Sequence, residues 1–172
     1  MKQIIHEIET RANLVSEQEL NKFVEILHQH RLHDVCGFGA GRMGYALRAF
    51  LMRLDHIGFR SFMIGDTNFP RINENTLVLI NSSSGETPSI RLFTEQAKAA
   101  GSTIVTFTSG MESSIARLSD LIVFCGDNSS KQIMKTLNEQ FSFLLFDYIA
   151  AKYIETYSLD EEWISNNHSI SE

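Results

Sequence analysis

Hydroxyl side chains cluster where a predicted buried strand gives way to a predicted helix, in the segment Asn81-Ser82-Ser83-Ser84-Gly85-Glu86-Thr87. One hydroxyl is enough to cap a helix, whereas this segment offers four, from Ser82, Ser83, Ser84 and Thr87. Hydroxyls and the free amides of a first helical turn together bind anions, helped by the helix dipole. Because the segment has no P-loop lysine, a monophosphate fits better than a nucleoside triphosphate. The alternative is a capped helix with a solvated serine turn.

A glycine-rich loop, Gly37-Phe38-Gly39-Ala40-Gly41-Arg42-Met43-Gly44, follows the first predicted strand and opens the next helix. Three of its glycines have the GxGxxG spacing of a dinucleotide site. Such a site also needs an acidic residue at the end of the second strand, about 20 residues further on. Asp66 comes too late, after Gly65 and in a predicted turn. We therefore expect no nicotinamide cofactor.

Glu139 is a candidate general base on the last predicted helix, which spans about residues 131 to 157. A carboxylate in an apolar setting suits a general base near neutral pH, and Glu139 lies beside Phe143, Phe146 and Ala150. The alternative is a glutamate at the rim that makes a surface ion pair. The opposite side of the helix is predicted to carry an apolar stripe of Ile133, Met134, Leu137, Phe141, Leu144, Leu145 and Tyr148. A helix with two apolar sides needs a second partner, so we expect a homodimer or homotetramer through it.

The elements that position these residues are five short, continuous apolar runs separated by helical patterns. Strands of this kind are covered on both faces, which predicts a three-layer α/β/α sandwich with a five-stranded parallel sheet. Residues 1–31 are predicted to form N-terminal helices on the same domain, with a capping box at Ser16 to Glu19. Residues 32–157 form the α/β domain, and 158–172 a polar tail that Trp163 is a candidate to anchor.

The composition of the chain limits the classes of binding partner that we expect. The 172 residues include 15 Lys and Arg against 21 Asp and Glu, a net charge of −6, so we expect no nucleic-acid or membrane-surface binding. Charged residues occur every few positions in the first residues of the chain, whereas a signal peptide has an uninterrupted apolar region. Cys36 and Cys125 lie in apolar runs and are predicted to be reduced core thiols of a cytoplasmic protein. The histidines between His28 and His33 are predicted to be a solvated cluster, and we expect no metal site.

Three segments together, GFGAGRMG, INSSSGET and TFTSGMESSIARLSDLIV, resemble the sugar isomerase (SIS) domain family of phosphosugar-binding proteins. The segment MRLDHIGFRSFMIGDTNFPRINENTLVLI looks most like the 6-phospho-3-hexuloisomerases of that family. The resemblance covers about residues 30 to 157. It implies a five-stranded parallel sheet, assembly as dimers or tetramers, and the isomerisation or sensing of phosphosugars without a metal or nicotinamide.

The resemblance also implies roles for residues. It places the substrate phosphate on Ser82, Ser84 and Thr87, and it places Gly41 and Arg42 around the sugar. Four positions depart from the family pattern. Met43 stands where the family usually has a serine that helps to hold phosphate, and Ser83 replaces a usual glycine and is a further candidate phosphate ligand. Lys135 replaces a usual glycine, and Asn138 replaces a usual apolar residue.

For the chemistry, the resemblance implies that Glu139, which follows Met134-Lys135-Thr136-Leu137, takes part in catalysis. It also matches His56 to a family histidine that assists ring opening or protonates oxygen. For His56, capping a helix end is the competing role.

The sequence therefore predicts a phosphosugar aldose–ketose isomerase working through an enediolate, most like the enzymes that convert 3-hexulose 6-phosphate to fructose 6-phosphate. The partner expected is a small phosphorylated sugar. The alternatives are a non-catalytic phosphosugar-binding regulatory module, or an isomerase of arabinose 5-phosphate or sedoheptulose 7-phosphate. A DNA-binding regulator is not expected, because the roughly 30 residues before the first strand are too few and too acidic for a helix-turn-helix domain.

Overall fold

Each apolar run of the sequence becomes a strand of one sheet, and most segments between them become helices. The computed structural model describes residues 1–167. The α-helices in that range are α1 (Lys2–Ala12), α2 (Glu17–Gln29), α3 (Gly41–His56), α4 (Pro88–Ala99), α5 (Thr136–Thr156) and α6 (Glu161–Asn166), and short 3-10 turns lie at Ala116–Leu118 and Ile133–Lys135. The strands are β1 (Asp34–Gly39), β2 (Arg60–Met63), β3 (Leu77–Asn81), β4 (Thr103–Thr108) and β5 (Leu121–Phe124).

The sheet is parallel throughout, with strand order β2-β1-β3-β4-β5. Every residue of the central strand β3 is buried. One core cluster joins α2, α3 and α5 to one face of the sheet, and a second joins α4 to the other face. The predicted α/β/α sandwich with a five-stranded parallel sheet is confirmed.

The N-terminal helices pack on this same core. The side chain of Ser16 caps α2 by accepting a hydrogen bond from the Glu19 amide at 3.3 Å. The apolar stripe of α2, which includes Phe23 and Leu27, is buried in the core. Helix α1 packs against α5, with Ile8 at the edge of the larger cluster.

Helix α5 begins at Thr136, later than predicted, because Met134 (φ 52°) and Lys135 (φ 64°) adopt left-handed backbone conformations just before it. Its predicted apolar stripe was wrong in part: Leu144 and Tyr148 are exposed, and Ile133 and Met134 lie before the helix. The buried face consists of Leu137, Asn138, Phe141, Ser142, Leu145, Phe146, Ile149, Ala150 and Tyr153. Periodicity could not fix this face, since apolar residues surround the helix and two polar residues inside it are hydrogen-bonded.

Part of the predicted polar tail is helical. Asp160 accepts a hydrogen bond from the Trp163 amide at 2.7 Å and so caps α6. The indole of Trp163 lies against Gly58, where an added Cβ would come within 2.6 Å of the ring. Residues 168–172 of the predicted tail lie outside the described residues.

Both cysteines are buried free thiols, and burial raises the pKa of each to about 12. Among residues 1–167, no three His, Cys, Asp or Glu side chains are grouped so that they could hold a metal ion. In the same range no helix has the length and apolar character needed to cross a bilayer.

Candidate active site

A crevice is expected at the carboxyl ends of β1 and β3, which are neighbours in the sheet. Helix α3 leaves β1 toward one face, and α4 leaves the loop after β3 toward the other. In open parallel sheets such a divergence is where ligands bind. The glycine loop and the serine segment of the sequence meet at this place, because the carboxyl ends of parallel strands share one edge.

The glycine loop lets strand and helix come unusually close. An added Cβ at Gly44 would lie 2.5 Å from the carbonyl oxygen of Gly39, and Gly41 has a left-handed φ of 56°. The GxGxxG spacing therefore reflects the tight turn and close packing of α3 on β1. Asp66 is used elsewhere: it pairs with Arg48 at 2.8 Å and accepts from the Met63 amide at 3.1 Å.

The hydroxyls of the serine segment, residues 82–87, do not serve as a helix cap. Thr87 is the N-cap residue of α4, yet its side chain makes no capping hydrogen bond. Its Oγ1 lies 3.5 Å from Ser82 Oγ instead. Ser84 Oγ accepts from the Glu86 amide at 3.3 Å, a bond within the loop. The first turn of α4 thus keeps free amides beside three hydroxyls, which is the arrangement that an anion site needs.

The loop after β4 holds the serine segment in place. The Ser109 amide donates to the carbonyl of Ser83 at 3.1 Å. An added Cβ at Gly110 would lie 2.4 Å from the Ser84 carbonyl oxygen. Glu86 accepts from the Ser114 amide at 2.7 Å, and this bond lowers the pKa of the Glu86 carboxyl. Two loops packed backbone to backbone leave the serine segment little freedom.

Ser83 points away from the other hydroxyls. Its Oγ donates to Asn128 Oδ1 at 2.9 Å and accepts from Nδ2 of Asn138, on α5. The hydroxyl proton of Ser83 is therefore already engaged within the protein. Ser82, Ser84 and Thr87 remain as the hydroxyls placed toward the first turn of α4.

Glu139 and Arg42 form an ion pair between Oε2 and Nε, which joins α5 to the glycine loop. The Glu139 side chain is 16% exposed and that of Arg42 is 66% exposed. Both line a groove of about 570 Å³ whose other walls include Ile5 of α1 and Tyr45 of α3. Sequence reasoning left Glu139 open as a base or as an ion-pair partner, and the structure shows the ion pair for a carboxylate that is mostly buried.

Asn81 ties the two loops together at the end of β3. Its Nδ2 donates to the Met43 carbonyl at 2.9 Å, and its Oδ1 accepts from Ser142 Oγ at 3.2 Å. The Met43 sulfur lies 4.0 Å from the same serine oxygen. Met43 thus faces α5 at the start of α3, beside the residues that join the loops.

Comparison with known proteins decides the family, because the SIS domain model matches residues 38–149, well over half of the chain. The chain belongs to the SIS domain family. The resemblance predicted from the sequence is confirmed, and the matched range contains the serine segment, Glu139 and all of the glycine loop except Gly37.

Individual SIS relatives are similar over nearly the whole chain. A Bacillus subtilis protein named 3-hexulose-6-phosphate isomerase is 31% identical over 97% of this chain and 94% of its own length. A hypothetical protein from Methanococcus jannaschii, for which the crystal structure infers a molecular function of 3-hexulose-6-phosphate isomerase, has a TM-score of 0.87 at 25% identity and covers 98% of this chain and 96% of that one. A solved Escherichia coli protein has a TM-score of 0.83 over 98% of this chain and 95% of that one, and at 21% identity it shows the fold alone.

The structure does not bring His56 to the other candidate residues of this SIS domain. His56 ends α3, whereas Arg42 lies in its first turn, so the two are roughly 21 Å apart along the helix at about 1.5 Å per residue. His56 is buried, and its carbonyl accepts from Asn167 Nδ2 at 3.1 Å. Its role in catalysis stays a prediction.

Sequence reasoning missed three polar residues that contact the serine segment or its supports: Arg11, Asn128 and Asn138. Asn138 stood out only as a polar residue at a usually apolar position, and Arg11 gave no signal at all. Arg11 is the single buried residue of α1, and it reaches Asn138 across 127 residues of sequence. Contacts over such separations leave no periodic trace in a sequence.

Proposed function

We propose that this protein is a phosphosugar isomerase that interconverts 3-hexulose 6-phosphate and fructose 6-phosphate. Membership of the SIS family and the name of the Bacillus subtilis relative support the substrate class. The observation that carries the proposal is the largely buried Glu139 carboxylate, paired with Arg42 at the edge of the crevice. A carboxylate held in this way can remove a proton from a carbon next to a carbonyl, whereas a protein that only binds a phosphosugar does not require such a base.

The phosphate would bind to the hydroxyls of Ser82, Ser84 and Thr87 and to the free amides at the start of α4. This assignment is supported by the missing side-chain cap at Thr87 and by its 3.5 Å approach to Ser82. Gly41, which has no side chain and a left-handed φ, leaves room for the sugar next to Arg42. Ser83 is not included as a direct ligand, because its proton is donated to Asn128.

The reaction moves a carbonyl from C3 to C2, so both compounds are ketoses, and the interconversion is ketose–ketose rather than the aldose–ketose type expected from the sequence. Glu139 would remove the proton from C2 of 3-hexulose 6-phosphate and leave a 2,3-enediolate. Transfer of the hydroxyl proton from the C2 oxygen to the C3 oxygen, and return of the abstracted proton from Glu139 to C3, complete the exchange. The guanidinium of Arg42 would stabilise the negative charge that develops on the oxygens, since preorganised donors act most strongly where charge appears during the reaction.

The auxiliary acid is expected to be His56, but a single chain keeps it at the far end of α3. Its participation therefore requires a second copy of the protein that brings its own His56 to the crevice. The exposed apolar side chains of α5, Phe143, Leu144 and Tyr148, support assembly through this helix as a homodimer or homotetramer. The two buried free thiols fit a reducing, cytoplasmic location.

The direct test incubates the purified protein with 3-hexulose 6-phosphate and measures the formation of fructose 6-phosphate. Thermal stability is measured in parallel with a panel of sugar phosphates, the free sugars and inorganic phosphate, because a ligand of the native state raises its melting temperature. Turnover with stabilisation by the phosphorylated sugars is expected. Stabilisation without turnover of any panel member would instead support a phosphosugar-binding regulator, and turnover of arabinose 5-phosphate alone would reassign the substrate.

A further inference from the structure

A chain of hydrogen bonds, buried at Arg11 and Asn138 and partly exposed at Asp127 and Asn128, runs from α1 to the serine segment. Arg11 is only 3% exposed, and its guanidinium donates to Asn138 Oδ1 and to the carbonyl oxygen of Asp127. Asn138 then donates from Nδ2 to Ser83 Oγ and, at 2.8 Å, to Asn128 Oδ1. These residues come from four parts of the chain: α1, α5, the loop after β5 and the serine segment.

Arg11 determines which atoms donate and which accept in this chain of hydrogen bonds. A guanidinium can only donate, so the oxygen of the Asn138 amide must face it, and the NH₂ group must face Ser83 and Asn128. Ser83 Oγ accepts from that group and consequently gives its own proton to Asn128. Arg11 thus sets the orientation of the amide, and the amide sets the orientation of Ser83.

Ser83 lies between two of the proposed phosphate ligands, Ser82 and Ser84. Its main chain is fixed as well, because its carbonyl accepts from the Ser109 amide at 3.1 Å and from Thr108 Oγ1 at 3.3 Å. Because the side chain and the main chain of Ser83 are both held by hydrogen bonds, the backbone that carries the Ser82 and Ser84 hydroxyls is restricted to one conformation. Preorganised ligands bind more tightly, because less freedom is lost on binding.

Arg11 also places a positive charge near this loop. Among residues 1–167 no Asp or Glu lies within ion-pair distance of it, and Asp127 and Glu7 act on its charge from further away. The loop after β5 fits around its side chain: Gly126 has a φ of 80°, and an added Cβ there would lie 3.0 Å from Arg11 Cγ. Burial weakens the screening of such a charge by water and salt. Its attraction for a phosphate bound nearby would therefore exceed that of a surface arginine.

We propose that Arg11 is a positioning residue for substrate phosphate, acting through Asn138 on Ser83 and by its buried charge. This inference rests on the proposed isomerase function. It assigns α1 a part in substrate binding, although no residue of α1 takes part in the proposed proton transfers.

The test compares Arg11→Met with Arg11→Lys, and with Arg60→Met as a control on an exposed arginine at the opposite edge of the sheet. The readouts are kcat, the KM for 3-hexulose 6-phosphate and the inhibition constant of inorganic phosphate. Arg11→Met should raise both KM and the inhibition constant about tenfold, the effect of losing a charge-assisted interaction, and change kcat by less than about threefold. Arg11→Lys should recover part of the loss, because an ammonium restores the charge but not both bonds.

Ser83→Ala provides a second route that leaves Arg11 and the fold in place. It should raise KM and the phosphate inhibition constant by itself, and Arg11→Met should have a smaller effect in the Ser83→Ala background than alone. A lower melting temperature for Arg11→Met with KM and the inhibition constant unchanged would overturn the inference, and so would fully additive effects of the two changes. If the wild-type protein turns over no sugar phosphate and does not bind inorganic phosphate, both the proposed function and this inference are wrong. If the wild-type protein is active, the Arg11 variants test this inference alone.

Discussion

Replacing Glu139 with Gln separates the chemistry of the proposed reaction from substrate binding and from stability. The change keeps the size and shape of the side chain and removes its ability to take up a proton. If Glu139 is the base, kcat should fall by about 10²- to 10⁴-fold, which corresponds to roughly 2.7–5.4 kcal/mol of lost transition-state stabilisation.

The stability cost should be much smaller. The partner in the ion pair, Arg42, has a side chain that is 66% exposed, so water replaces the carboxylate readily. Pairs of this kind contribute about 0–1 kcal/mol, which would lower the melting temperature of a chain of this size by at most about 4 °C. The variant should therefore fold, and phosphosugars should still raise its melting temperature.

The assay measures fructose 6-phosphate formation under saturating substrate, next to the ligand-induced shift in melting temperature. Glu155→Gln is the matched control, because Glu155 is an exposed glutamate on the same helix. A kcat for Glu139→Gln within tenfold of the control would refute the reasoning. Glu139 would then serve only to hold Arg42 beside the crevice.

Three further predictions concern the loops and α1. Met43→Ser should lower the KM for the sugar phosphate by about twofold to tenfold in steady-state kinetics, since it adds one hydrogen-bond donor at the start of α3, and an unchanged KM would show that Met43 faces away from the ligand. Gly44→Ala should lower the free energy of unfolding in urea by about 1–3 kcal/mol, because its Cβ would lie 2.5 Å from a backbone oxygen of Gly39, and a variant of wild-type stability would contradict that contact. Hydrogen bonds from Gln132 and from the Lys131 amide lower the pKa of Glu7 below its ordinary value of 4.5, so its ionised form stabilises the fold above that pH and the stabilisation is lost as the pH falls through the lowered value. The difference in melting temperature between wild type and Glu7→Gln should accordingly shrink from pH 7 to pH 3, and a constant difference would argue against the assignment.

The sequence alone was enough to determine the fold class and to predict the place of the candidate site. Short apolar runs between helical patterns require a parallel sheet covered on both faces, and the structure has one. Because parallel strands end at a common edge, the glycine loop after β1 and the serine segment after β3 both had to lie at that edge. The strand order, which places β1 beside β3, then brought them together. These inferences depend on local patterns that repeat along the chain.

The tertiary structure decided which side chains face one another. It selected the buried face of α5, which apolar residues on nearly all sides of the helix left ambiguous, and it paired Glu139 with Arg42. It turned Ser83 toward Asn138 and connected both to Arg11, and it left His56 at the far end of α3. The reason is physical: these contacts join residues far apart in the chain, and their geometry follows from how the helices pack on the sheet.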